Sequence, residues 1–165
     1  IPADAWDASE VRYLSGYGIA TGYADKTFRP NRTITRAEFT TMAVKFFDVY
    51  GDGNAEIMDK YDGFHDISNG DWAAEYIADA AKHGWIVGYG DGLFHGNAKI
   101  TRAEVVTLVN NLLGRAADEA YITKNLRRLN TFTDLTSTRY WAYFELMEAA
   151  NSHNAALGET EHWSK

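Results

Sequence analysis

Five letters recur with a cation at their centre: Ile34-Thr35-Arg36-Ala37-Glu38 returns as Ile100-Thr101-Arg102-Ala103-Glu104. Threonine followed three residues later by glutamate is the capping-box spacing, in which the hydroxyl takes one free helix amide and the carboxylate reaches back to another. Each copy therefore predicts a helix starting at its arginine. The box accounts for Thr35, Glu38, Thr101 and Glu104, but not for Arg36 and Arg102. Both stand at the first helical position, where the positive end of the helix dipole disfavours a cation by a few tenths of a kcal/mol. Two readings follow from that placement. The arginine is either solvated or paired with Glu38 or a loop aspartate, or it joins the first amides of the helix in holding an anion.

Other chemistries find less support in the spacing. The five histidines, at 65, 83, 95, 153 and 162, fall in no HExxH pattern, and there is no GxSxG elbow or phosphate-cradling glycine loop. The absence of cysteine removes disulfides, thiolate nucleophiles and Cys-based zinc sites. Asp25 and Asp91 sit in Gly- and Asn-rich loops whose spacing lacks the alternating oxygens and twelfth-position glutamate of an EF-hand, so turn chemistry is the reading for them. Carboxylate pairs could arise in many ways among 23 acidic residues, and the sequence selects none. A non-catalytic module without metal or cofactor is expected. A net charge of −7 argues against a nucleic-acid partner, which needs a positive field. No apolar run approaches the roughly 18 residues of a membrane span, and IPADAWDASE has neither the basic start nor the apolar core of a signal peptide.

The elements that must position these residues emerge from self-comparison. A shift of 66 aligns residues 6 to 39 with 72 to 105 without a gap, with 13 identities in 34 positions. A third, partial copy has FTD at 132–134 and WAYFELMEAANSH from Trp141, against FHD at 64–66 and WAAEYIADAAKHG from Trp72, one residue being inserted. After His153 there is no GYxDxxF and no TRAE. Each full unit reads as helix, loop, helix. The first helix is expected to start near Trp6 or Trp72 and to end at Gly18 or Gly84. The loop GYADKTFRPN or GYGDGLFHGN follows, with Phe28 or Phe94 as the plug that pins it to the core. The second helix carries Phe39, Met42, Ala43, Phe46 and Phe47, or Val105, Leu108, Val109, Leu112 and Leu113, at the spacing of a buried stripe. Two such helices, and a third from a missing segment, are expected to pack as a central bundle with the shorter helices outside. Ile67 falls on Ile1 under the same shift, which leads us to expect a fragment of a longer protein with a further TRAE helix ahead of residue 1.

FHD, the Trp-led helix, GYGDGLFHGN and ITRAEV together resemble the S-layer homology domain, with the pattern F-x-D, GxxxGYxDGxFxPxxxITRAE and an amphipathic helix. The resemblance spans repeat 1 (1–51), repeat 2 (61–115) and a first half of repeat 3 (129–157); residues 116–128 form a partly helical linker with a solvated basic cluster, and 158–165 a tail. It implies an all-α fold of tandem helix-loop-helix repeats in a pseudo-threefold bundle. It also implies a cell-surface location and anchoring to a bacterial wall glycan. That glycan would be a secondary wall polysaccharide bearing pyruvate ketals, or peptidoglycan, held in grooves between repeats by Arg36 and Arg102. Gly22, Tyr23 and Asp25, with Gly88, Tyr89 and Asp91, match the family's loop and are expected to shape those grooves. Trp6, Trp72 and Trp141 are candidates for stacking on a sugar face, or else structural.

The copies also differ. Lys26 stands where repeat 2 has Gly92, and His95 replaces Arg29, which is expected to weaken carboxylate binding in the second groove. Arg36→Ala is expected to weaken wall binding with little loss of fold. A protein-interaction or S-layer assembly module, with self-association through the incomplete third repeat or a missing upstream TRAE helix, is the competing reading.

Overall fold

The computed structural model describes residues 2, 4–51, 63–153 and 163. The predicted repeat limits at 61 and 157, most of the 158–165 tail and His162 lie outside them. The chain divides into two compact units, Ile1–Ile100 and Thr101–Lys165. The first holds α1 (Ala8–Gly16), α2 (Arg36–Tyr50) and α3 (Ala74–Lys82). The second holds α4 (Arg102–Leu112), α5 (Glu119–Asn125), a 3-10 turn (Leu126–Arg128) and α6 (Tyr143–Ala150). Among the described residues there is no strand, only an isolated antiparallel bridge between Thr35 and Lys99. The all-α expectation holds.

The boundary falls inside repeat 2, and packing explains it. α2 of repeat 1 packs on α3 of repeat 2, and α4 of repeat 2 packs on α6 of repeat 3. Each TRAE helix thus finds its partner in the next repeat. In the first unit Phe47 near the end of α2 lies 4.6 Å from the buried Trp85, on which His83 stacks.

Helix ends follow the sequence closely, with one displacement. Gly18 and Gly84 adopt φ of 72° and 69°, and the amides after them reach back five residues, from Ile19 to Leu14 and from Trp85 to Ala80. This is the left-handed glycine cap of a Schellman motif. The starts lie two residues later than predicted, because the chain before each first helix makes two successive turns. Ala74 bonds back to Asp71 and Asp71 to Ser68, as Ala8 does to Ala5 and Ala5 to Pro2. Trp6, Trp72 and Trp141 sit in those turns and not on a helix face.

The predicted buried stripes are only half met. On α2 the buried residues are Arg36, Ala37, Thr40, Thr41, Ala43 and Val44, while Phe46 is exposed. On α4 Leu108 is buried but Val109 and Leu113 are exposed, and the inward polar residue is Asn110, whose amide donates to the Glu145 carbonyl and carboxylate. The small face of α2, with Ala37 and Thr40, allows close approach of the next repeat, and the large apolar residues fall beside it. Phe46 and Tyr50 join Tyr13 and Tyr17 in an exposed aromatic cluster.

The second unit has its own core of Ile122, Leu129, Tyr143, Met147 and Trp163. The linker is helical as expected, α5 being capped by the Asp118 carboxylate, which accepts from the Tyr121 amide. Trp163, from the tail, is buried, stacks on His153 with ring centres 4.0 Å apart, and donates its backbone amide to Asp118.

Candidate functional site

Both capping boxes form. The Thr35 hydroxyl accepts the Glu38 amide at 3.2 Å, and the Glu38 carboxylate accepts the Thr35 amide at 2.8 Å. In the second copy the same bonds measure 3.3 and 2.7 Å, and the Thr101 hydroxyl also donates to Glu104. Thr35 and Thr101 are therefore committed to starting their helices.

The two arginines fare differently. Arg36 is 7% exposed. Its Nε donates to the Phe94 carbonyl at 2.9 Å, and its guanidinium lies 4.6 Å from the Tyr89 ring centre and 4.7 Å from that of Phe94. The helix amides beside it are also taken: Arg36 donates to Ala98 at 2.9 Å and Ala37 to Gly96 at 3.0 Å. Gly96 stands where repeat 1 has Pro30, and a Cβ there would meet that of Ala37 at an ordinary contact distance of 3.4 Å. The start of α2 is thus a joint between repeats, and Arg36 belongs to the fold. Arg102 at the start of α4 is exposed, and among the described residues neither its side chain nor its amide has a hydrogen-bond partner.

The loop residues serve the loops themselves. A Cβ on Gly22 would come within 2.6 Å of the Thr27 carbonyl, and one on Gly88 within 2.7 Å of that of Leu93, so only glycine lets each hairpin close. The Asp25 carboxylate accepts from the Thr27 hydroxyl, the Thr27 amide and the Arg29 guanidinium, which hold its pKa down to about 2. Asp91 accepts from the Leu93 amide and from His95 at 3.0 Å, and its pKa is lowered, first by that amide and then by the histidine. Arg29 and His95 play one role: both adopt left-handed backbone, at φ of 58° and 57°, and both pair with the loop aspartate. The cation at each of these positions is thus engaged by its own loop's aspartate.

The tyrosines meet cations in both loops. Arg29 and Arg32 lie 4.6 and 4.8 Å from the Tyr23 ring centre, and the Tyr23 hydroxyl donates to Glu38. The tryptophans are left in water, Trp6 being 92%, Trp72 63% and Trp141 60% exposed. The same ring thus stands outside the core at the matching place in all three repeats.

Sequence reasoning missed the role of F-x-D. The Asp66 carboxylate accepts the amides of Phe94 and His95 at 2.7 Å each, and the Phe64 ring lies 5.3 Å from Phe94. The recurrence of FHD as FTD was a visible signal, but nothing local says which loop the motif covers.

The fold and the joint define a class: an all-α repeat protein in which the arginine that opens one repeat's second helix is clasped by the loop of the next. The family model of the S-layer homology domain matches residues 1–40 and 63–106, and the chain belongs to that family. Among its relatives is the cellulosome-anchoring protein of Acetivibrio thermocellus, 34% identical over 154 residues, which cover 93% of this chain and 32% of that protein. Cell surface glycoprotein 1 of the same organism is 36% identical over 90% of this chain and 6% of its own length. The S-layer protein of Bacillus thuringiensis subsp. finitimus is 35% identical over 66% of this chain and 12% of its own. The chain thus spans about a third or less of the relatives it matches.

Proposed function

We propose that this chain is a non-catalytic module that anchors its parent protein at the bacterial cell surface by binding an acidic, pyruvylated secondary wall polysaccharide. The relatives named for anchoring and for the S-layer support the anchoring role. The observation that carries the glycan reading is the exposed tryptophan repeated at the matching positions 6, 72 and 141. Indole faces stack on sugar rings, and an exposed guanidinium takes a carboxylate by charge-assisted hydrogen bonds. Arg102 makes that contact directly. Arg36 contributes by fixing Tyr89, whose ring is half exposed on the same joint. Thr35, Thr101, Gly22, Gly88, Asp25, Asp91 and Tyr23 hold the loops and helix starts in shape.

The test is co-sedimentation with purified wall sacculi. The chain is expected to pellet with intact walls and to stay in solution once the pyruvylated polymer is stripped. Salt weakens binding only modestly, since few charges take part. Retention on stripped walls would point to peptidoglycan instead, and no affinity for either would sink the anchoring reading. Undiminished binding by an Arg36→Ala, Arg102→Ala double variant would remove the arginines from the mechanism.

A further inference from the structure

Asn69 is followed by Gly70, and no other asparagine of the chain precedes a glycine. The pair forms the centre of the turn that leads into Trp72. The Asp71 amide donates to the Ser68 carbonyl at 2.9 Å, and the Asp71 carboxylate accepts the Ser68 amide and hydroxyl at 2.6 and 3.1 Å. Those bonds tie the ends of the turn and leave its two central residues untouched. Ser68, Asn69, Gly70 and Asp71 are all exposed. Among the described residues, neither the Gly70 amide nor the Asn69 side chain has a hydrogen-bond partner. A Cβ on Gly70 would meet nothing within 4 Å, so the space around the pair is open.

An asparagine in such a setting reacts with its own backbone, the chemistry that makes this residue thermolabile. The Gly70 nitrogen, having lost its proton to base, attacks the side-chain carbonyl carbon of Asn69. A carbon–nitrogen bond forms, the bond to the side-chain nitrogen breaks, and ammonia leaves after taking up a proton. A cyclic succinimide remains. Water then opens the ring at either carbonyl, giving an aspartate or an isoaspartate whose backbone runs through the former side chain. Nothing is oxidised or reduced, and water is the only co-reactant. The fold protects other candidates. The Asn110 amide group is held by Glu145, and that of Asn151 by Asn130 and Met147. Asp91 also precedes a glycine, but its carboxylate accepts from the Leu93 amide and His95 and stays ionised, which makes it a poor electrophile.

We propose that Asn69 is a site of spontaneous covalent modification whose conversion weakens wall binding at Trp72. The product carries a new negative charge in the turn that already holds Asp71, and the isoaspartate form lengthens the backbone that presents the exposed Trp72. Both changes act against contact with an acidic glycan. The effect on the wall rests on the glycan reading above, whereas the conversion itself does not.

Ageing the full chain in mildly alkaline buffer tests this, with peptide mass spectrometry and isoaspartate-specific methylation as readouts. An acid is expected to replace the amide at residue 69 with release of ammonia, faster as pH rises, and at a rate close to that of a free Ser-Asn-Gly-Asp peptide. Gly70→Ala is expected to slow the conversion several-fold, since a Cβ restricts the backbone that must close the ring. Asn69→Gln is expected to abolish isoaspartate formation. A folded chain that keeps the Asn69 amide while the peptide converts overturns the proposal. So does equal conversion at Asn110 and Asn151, which would mean that the fold selects no site. Sacculus co-sedimentation then compares fresh with aged chain. Aged chain is expected to bind several-fold more weakly, and aged Asn69→Gln as tightly as fresh. Conversion without that loss overturns the effect on the wall. A fresh chain that fails to pellet defeats the anchoring reading and leaves the conversion standing.

Discussion

The two copies of ITRAE have one spelling and two fates. At 34–38 the arginine is buried, bonded to the Phe94 carbonyl and layered on two rings, and the first helix amides are spent on Gly96 and Ala98. At 100–104 the arginine is exposed, although the capping box is the same. The letters themselves cannot account for this difference. For Arg36 the next repeat supplies the loop with Tyr89 and Phe94. The motif starts the helix, and the next repeat's loop decides what its arginine does.

The sharpest way to break this comparison is to remove what clasps Arg36. Phe94 is fully buried between Phe64 and the arginine, whereas Phe28 is half-buried beside an open groove. Phe94→Ala is expected to cost about 3–5 kcal/mol, and Phe28→Ala well under half of that, in urea unfolding of the chain. Equal losses would mean that the loops are equivalent after all.

Arginine removal comes next in size. Arg36→Ala strands the Phe94 carbonyl and removes two cation–ring contacts, for an expected loss of about 2–4 kcal/mol. Arg102→Ala is expected within about 0.5 kcal/mol of the parent, as for an ordinary surface change. In the sacculus assay the order reverses for folded protein, with Arg102→Ala binding about tenfold more weakly. Arg36→Ala is thus no clean test of binding, contrary to what the sequence alone suggests.

The local signals in the sequence were reliable because they depend on a few neighbours. Thr35 with Glu38, Gly18 with Gly84, and the loop aspartates act within five residues of chain, so type and spacing suffice to read them. The buried face of α2 differs from the periodic stripe because it is set by the next repeat, from α3 at Ala74–Lys82 to Gly96: Ala37 and Thr40 are small enough for it to approach, and periodicity counts only hydrophobicity. For the same reason F-x-D was legible as a repeat marker but not as the cover of Phe94. The burial of Arg36 was invisible, since its acceptor is a backbone carbonyl of residue 94, which no side-chain pattern reveals.

Where the copies agree, matched substitutions should agree too. Thr35→Ala and Thr101→Ala each remove one capping hydroxyl, and each is expected to cost about 1 kcal/mol. Thermal unfolding of the single variants measures this. A cost at Thr35 far above that at Thr101 would show that the inter-repeat joint, and not the cap, holds the start of α2.

The smallest effect isolates one side chain. Asp25 and Asp91 occupy the same loop position, yet the pKa of Asp25 falls to about 2, a larger departure than that of Asp91. The first cause at Asp25 is the Thr27 hydroxyl, 2.6 Å away, and repeat 2 has Leu93 there. A carboxylate with a lowered folded pKa stabilises fully above its ordinary value of 3.8, and that contribution fades as pH falls toward about 2. Loop 1 should therefore outlast loop 2 in acid. Carboxyl carbon shifts followed by NMR are expected to titrate for Asp25 below Asp91. Thr27→Leu should raise the Asp25 midpoint toward that of Asp91 while Arg29 keeps it below the ordinary value. If the midpoint of Asp25 stays near 2 in that variant, the residue-27 amide and the guanidinium set it, and since repeat 2 has the equivalent amide the contrast between the loops rests on Arg29 against His95.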